Sequence, residues 1–103
     1  MPSKLELKFH EEMKNIYFSG KREIGYNAAR FWQLVCDKGG VQAAKILIAK
    51  YGGSDGFVTL WENKRLDLSV EAHVLDPEYR DLFTDAERQI CKERLESYGY
   101  EAT

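Results

Sequence analysis

Gly56-Phe57-Val58-Thr59-Leu60-Trp61 is the one stretch of this 103-residue chain that reads two ways, and the choice decides the fold. Its β-branched and aromatic residues suit a pleated, half-buried surface. Strict alternation is missing, however, and Phe57, Leu60 and Trp61 fall at helical spacing. Ser54 ahead of them is a good N-cap, and Asn63 behind them can take a helix-terminating conformation. Read as a helix, the stretch leaves no strand in the chain.

Toward the C-terminus the signals stay helical. Asp67 or Ser69 can cap a turn or two in which Val70 and Val74 lie one above the other. Asp76-Pro77-Glu78 is a cap, a first-turn proline and an acidic first turn, which predicts a brief helix through Leu82. Thr84-Asp85-Ala86-Glu87 has the form of a capping box, and Ala86, Ile90, Cys91, Arg94, Leu95 and Tyr98 trace a stripe up to Gly99.

Toward the N-terminus the pattern is the same. Val41, Ala44, Ile48 and Tyr51 share a face with Ala43 and Leu47, bounded by Gly39-Gly40 and Gly52-Gly53. A helix is read from Ile24 through Ala28, Phe31 and Val35, with Trp32 and Cys36 widening its buried face. Ser3-Lys4-Leu5-Glu6 is another capping box, followed by Leu5, Phe9, Met13 and Ile16 or Tyr17 at steps of three and four, with Ser19-Gly20 as the stop. The expected fold is therefore all-α: one domain over residues 1–103, a compact bundle of about five or six helices, long at both ends and short between.

With 44% hydrophobic residues, 31% charged and only two prolines, the composition is that of a globular chain. No apolar run approaches the ~18 residues needed to span a bilayer, and the first residues lack the apolar segment of a secretion signal. A cytoplasmic protein is expected. Cys36 and Cys91 fit neither a zinc site nor a disulfide framework and are read as buried free thiols. Residues 1–50 carry nine Lys/Arg against five Asp/Glu, while residues 51–103 carry six against twelve. The net charge of −2 thus hides a basic half and an acidic half.

Catalytic chemistry finds little footing. His10 and His73 have no cysteine, second histidine or Asp/Glu set at ligand spacing, the Glu6–His10 pair four apart reads as a surface contact, and no serine or cysteine sits in a nucleophile signature. Gly52-Gly53-Ser54-Asp55-Gly56 lacks the Gly-Lys-Ser/Thr of a phosphate loop. Glu62, Arg65, Asp67 and Glu71 read as a structural polar cluster, Arg65 bridging Asp67 or Glu71 between short helices. A deep pocket lined by Glu62, Asp67, Glu71 and His73 would return a hydrolytic role, and none is expected. No enzyme activity, cofactor or metal is expected either.

Binding is better served. Basic residues of the N-terminal half, including Lys21, Arg22, Arg30 and Lys38, offer a charged face that a nucleic acid could use. The short apolar helix Phe57 to Asn63 has no side chains to read bases, and the acidic pI of about 5.7 opposes that reading. Tyr98 and Tyr100 are the expected exposed aromatics for a protein partner.

Gly39-Gly40-Val41-Gln42-Ala43-Ala44-Lys45, Ser54-Asp55-Gly56-Phe57, Leu60-Trp61-Glu62, Arg65-Leu66-Asp67-Leu68-Ser69-Val70-Glu71 and Leu82-Phe83-Thr84 follow one another in order. Together they resemble a family of small bacterial helical domains without an established function, over roughly residues 28 to 100. Residues 1 to 25 lie outside the resemblance, which implies an accessory role. The expected function is a non-catalytic interaction module that docks a protein partner or a second copy of the chain, with nucleic-acid binding as the alternative.

Overall fold

The computed structural model describes residues 3–50 and 55–100. Among them are six α-helices, two 3-10 segments and no strand. In chain order the helices are α1 (Lys4–Ile24), α2 (Ala29–Lys38), α3 (Gly40–Ala49), α4 (Asp55–Glu62), α5 (Val70–Val74) and α6 (Asp85–Ser97). The 3-10 segments Leu66–Leu68 and Pro77–Leu82 flank α5. The two-way stretch is helical, and the all-α bundle with long first and last helices is the fold. A radius of gyration of 12.5 Å matches the ~13 Å of a compact domain of about 100 residues.

Caps read from the sequence form where expected. The Ser3 hydroxyl accepts from the Glu6 N–H, Ser69 from Ala72 and Asp76 from Glu78. Thr84 and Glu87 complete a reciprocal capping box at the start of α6. Each satisfies backbone donors that a helix start leaves orphaned.

Several boundaries differ from expectation. α1 runs through Gly20 to Ile24, and just beyond its end the Tyr26 N–H donates back to the Gly20 carbonyl at 3.0 Å. The left-handed residue that ends α1 is Gly25, at φ 68°. Ile24 therefore belongs to α1 and packs on a different part of the core from Val35. After α4 the left-handed position is Lys64, at φ 59°, rather than Asn63. Pro77–Leu82 is wound as a 3-10 helix. Cys36 is exposed on α2, so Cys91 is the buried thiol of the two. Tyr51, the Gly52-Gly53 stop and the Ser54 cap lie outside the described residues.

Two apolar clusters hold the helices. In the larger, Phe9 meets Tyr79 and Phe83 edge-on at 5.0 and 5.1 Å, surrounded by Met13, Val35, Ala44, Val74 and Cys91. The smaller gathers Phe57, Leu60, Leu66 and Leu95. Leu75 packs against both. Burying each large apolar side chain contributes roughly 1.5–3 kcal/mol.

α1 and α3 approach so closely that a Cβ on Gly40 would stand 2.5 Å from the His10 Cα. There the Gly40 N–H donates to His10 Nδ1 at 2.9 Å. α3 has no side-chain cap from Gly39, so His10 on α1 supplies an acceptor for its first turn.

The two oppositely charged halves interlock. Lys8 pairs with Glu78, Lys45 Nζ lies 2.8 Å from Glu87, and Arg65 Nη1 lies 2.7 Å from Glu23. Each of these pairs joins the two halves, but Arg65–Glu23 runs opposite in sign to the other two, so the pairs tie the halves together and leave most of the charge asymmetry in place.

Candidate functional site

The register of α1 turns Phe9, Met13, Ile16 and Gly20 inward, which leaves the following positions Tyr17 and Phe18 facing away from the core. On α2, Val35 faces inward with Phe31 and Leu34 beside it, and Trp32 is set off toward α1. Three rings meet as a result. Tyr17 and Trp32 have centroids 4.8 Å apart, Phe18 and Trp32 5.3 Å, and Tyr17 and Phe18 5.5 Å.

None of the three belongs to either core cluster, and Phe18 is 48% exposed. Lys21, one turn on from Tyr17, places its Nζ 5.9 Å from that ring centroid, and Arg22 beside it is exposed. The Tyr17 hydroxyl donates to Asn27 Oδ1 at 3.0 Å, which fixes the ring against the α1–α2 connection. The face is an aromatic patch with a basic margin.

A cavity of about 450 Å³ opens on the other side of that connection. Its wall is mainly apolar, with Ile16, Phe31, Leu34, Leu47, Phe57 and Leu60 contributing. Asn27 also lines it, so one residue touches both the aromatic patch and the cavity. Glu71 is the carboxylate among the described lining residues, and Arg94 binds it at 2.7 Å. Arg30 and Lys50 line the cavity and are exposed.

The expected polar cluster is divided. Arg65 Nε and Nη2 grip the Asp67 carboxylate at 3.0 and 3.2 Å while Nη1 holds Glu23, so Asp67 is occupied here and Ser69 caps α5. Glu71 joins Arg94 instead of Arg65, and Glu62 is exposed. Of Glu62, Asp67, Glu71 and His73, Glu71 alone lines the cavity. His73 Nδ1 lies 2.8 Å from the Ser69 carbonyl, and its Nε2 stands 3.6 Å from Glu12. No group of three or more His, Cys, Asp or Glu able to hold a metal occurs among the described residues.

The expected binding residues are also dispersed. Lys21 and Arg22 stand in the last turn of α1. Lys38 ends α2 and shares a shallow hollow with Glu6 and His10 near the start of α1. Arg30 opens α2 at the cavity edge. Tyr98 and Tyr100 are half-buried against the smaller core cluster, Tyr98 meeting Phe57 at 5.0 Å and Trp61 at 5.2 Å. Trp61, 45% exposed, is the outward ring of that group. The sequence signal for Phe18 is its place two positions after the inward Ile16, on the opposite side of the helix, where a large ring has no core to enter.

No known protein family, curated protein or solved structure significantly matches this chain. No helix among the described residues is long and apolar enough to cross a membrane.

Proposed function

We propose that this domain is a non-catalytic, cytoplasmic interaction module of the accessory kind, and that it docks a protein through the Tyr17–Phe18–Trp32 face. The observation that carries the reading is that these three rings contact one another outside both core clusters, with Phe18 48% exposed. Rigid aromatics present a large contact area with little side-chain entropy to lose, which is why they anchor interfaces. Lys21 at the margin, beside an Arg22 that Glu23 meets at 3.7 Å, favours a partner whose apolar anchor is flanked by an acidic residue. Two free cysteines, one of them exposed, suit a reducing compartment.

The nucleic-acid reading draws less support. Lys38 and the Lys21–Arg22 pair stand near opposite ends of α1, while Lys45 is engaged by Glu87. A photo-crosslinking residue at position 18, in cells of the native host, tests the proposal against the same residue at exposed Lys92 on α6. A defined protein adduct from position 18, absent from position 92 and abolished by Trp32→Ser, is the expected result. Adducts of equal yield from both positions, or steep salt-dependent retention on heparin without any protein adduct, overturn it.

A further inference from the structure

The cavity between α1, α2, α3, α4 and α5 is not used by the docking face, and its volume of about 450 Å³ falls within the range of roughly 300–1,000 Å³ typical of small-molecule sites. We propose that it binds an aliphatic monocarboxylate, with the hydrocarbon chain among Phe31, Leu34, Leu47, Phe57 and Leu60 and the carboxylate at the edge formed by Arg30 and Lys50.

The apolar wall sets the body of the ligand. It offers hydrocarbon and ring surface on several sides, while two of its described polar liners are already engaged, Asn27 by the Tyr17 hydroxyl and Ser69 by the Leu66 carbonyl and the Ala72 N–H. The sign of the head group follows from the charges around it. Glu71 is already neutralised by the Arg94 guanidinium at 2.7 Å and is 3% exposed, so it does not attract a cationic ligand. Arg30 and Lys50 are exposed at the edge, and neither is joined to a carboxylate among the described residues.

The backbone adds to the same field. Ala28, Ala29 and Arg30, which open α2, all line the cavity. Ala28 provides no side-chain cap, and the first turn of α2 holds no acidic residue. The partial positive charge of that helix start therefore meets neither a side-chain cap nor an acid of its own first turn. A cationic amphiphile meets repulsion there, and a neutral alcohol forgoes the attraction.

Decanoate, decylamine and decanol, each kept below its micelle-forming concentration, distinguish these cases by calorimetric titration and by amide chemical-shift mapping of the whole chain. Decanoate is expected to saturate at one per chain, to move the Phe31, Leu34 and Leu60 amides, and to bind at least about tenfold more tightly than decylamine. Arg30→Glu lies on the surface and leaves the core intact. It should weaken decanoate by about tenfold or more while the melting temperature holds. Leu34→Phe, which fills the cavity, should abolish binding of both decanoate and decanol. Absence of saturation, equal affinity for decylamine, shifts centred on Phe18 and Trp32, or an Arg30→Glu variant that binds decanoate unchanged overturns the proposal.

Discussion

Arg94 on α6 donates from Nη1 to the Glu71 carboxylate on α5 at 2.7 Å, with the two side chains 9% and 3% exposed. The same guanidinium donates through Nη2 to the carbonyls of Ile48 at 3.0 Å and Lys50 at 2.8 Å. Arg94 thus closes the C-terminal end of α3, where carbonyls lack partners within the helix, and ties three helices at one point.

Removing the cation alone strands a buried carboxylate. Arg94→Met is expected to lower stability by about 3–5 kcal/mol, and Glu71→Gln by less because the amide still accepts from the guanidinium. Urea unfolding of Arg94→Met, Glu71→Met and the double variant measures the coupling. The double variant should lose clearly less than the sum of the singles, and strict additivity would show that the pair does not act as a unit.

What was legible in the sequence was whatever is decided within about four residues. Ser3, Ser69, Asp76 and Thr84 all cap as their neighbours foretold, since a cap and its N–H lie on one turn. The relations that depend on tertiary folding were not legible. Gly20 reads as a stop, yet α1 passes it and closes at the left-handed Gly25; each glycine is a sound local stop, and the packing of Ile24 against the smaller cluster favours the later one. Proximity in sequence groups Glu71 with Arg65, but its partner is 23 positions away on another helix. Tyr98 reads as exposed because it lies at the end of a helix, although Phe57 and Trp61 form a surface for it to pack on.

Gly40 is the place where α1 and α3 can least tolerate an added atom. A methyl group there would be 2.5 Å from the His10 Cα, and backbone cannot rotate aside as a side chain can. Gly40→Ala gains intrinsic helix propensity of about 1 kcal/mol. Overpacking costs about 1–3 kcal/mol or more, so the net effect should be destabilising. Thermal unfolding checks the sign: a melting temperature at or above that of the parent chain would show that the crossing is looser than described.

The two thiols should differ sharply in reactivity. Cys36 is exposed, whereas burial, reinforced by the Glu71 charge, pushes the Cys91 thiol up to about 12. The thiolate is the reactive form, so Cys91 is both shielded and protonated at neutral pH. Iodoacetamide followed by mass spectrometry should give one adduct, on Cys36, in the folded protein and two in concentrated urea. Comparable labelling of Cys91 without denaturant would place it nearer the surface.

Glu87 supplies a pH dependence whose sign can be worked out. Burial alone would raise its pKa, but the Lys45 ammonium at 2.8 Å and the Thr84 backbone N–H at 2.9 Å outweigh burial and hold it below its ordinary 4.5. A carboxylate depressed in the folded state binds fewer protons there than in the unfolded chain, so it adds stability above the unfolded value. That contribution is lost as pH falls through the folded value. Glu87→Gln keeps a capping-box side chain but cannot titrate. Urea midpoints for both proteins from pH 7 downward should therefore differ most at neutral pH and converge in acid. A gap that stays constant across the range would mean that the Lys45–Glu87 contact contributes nothing through its charge.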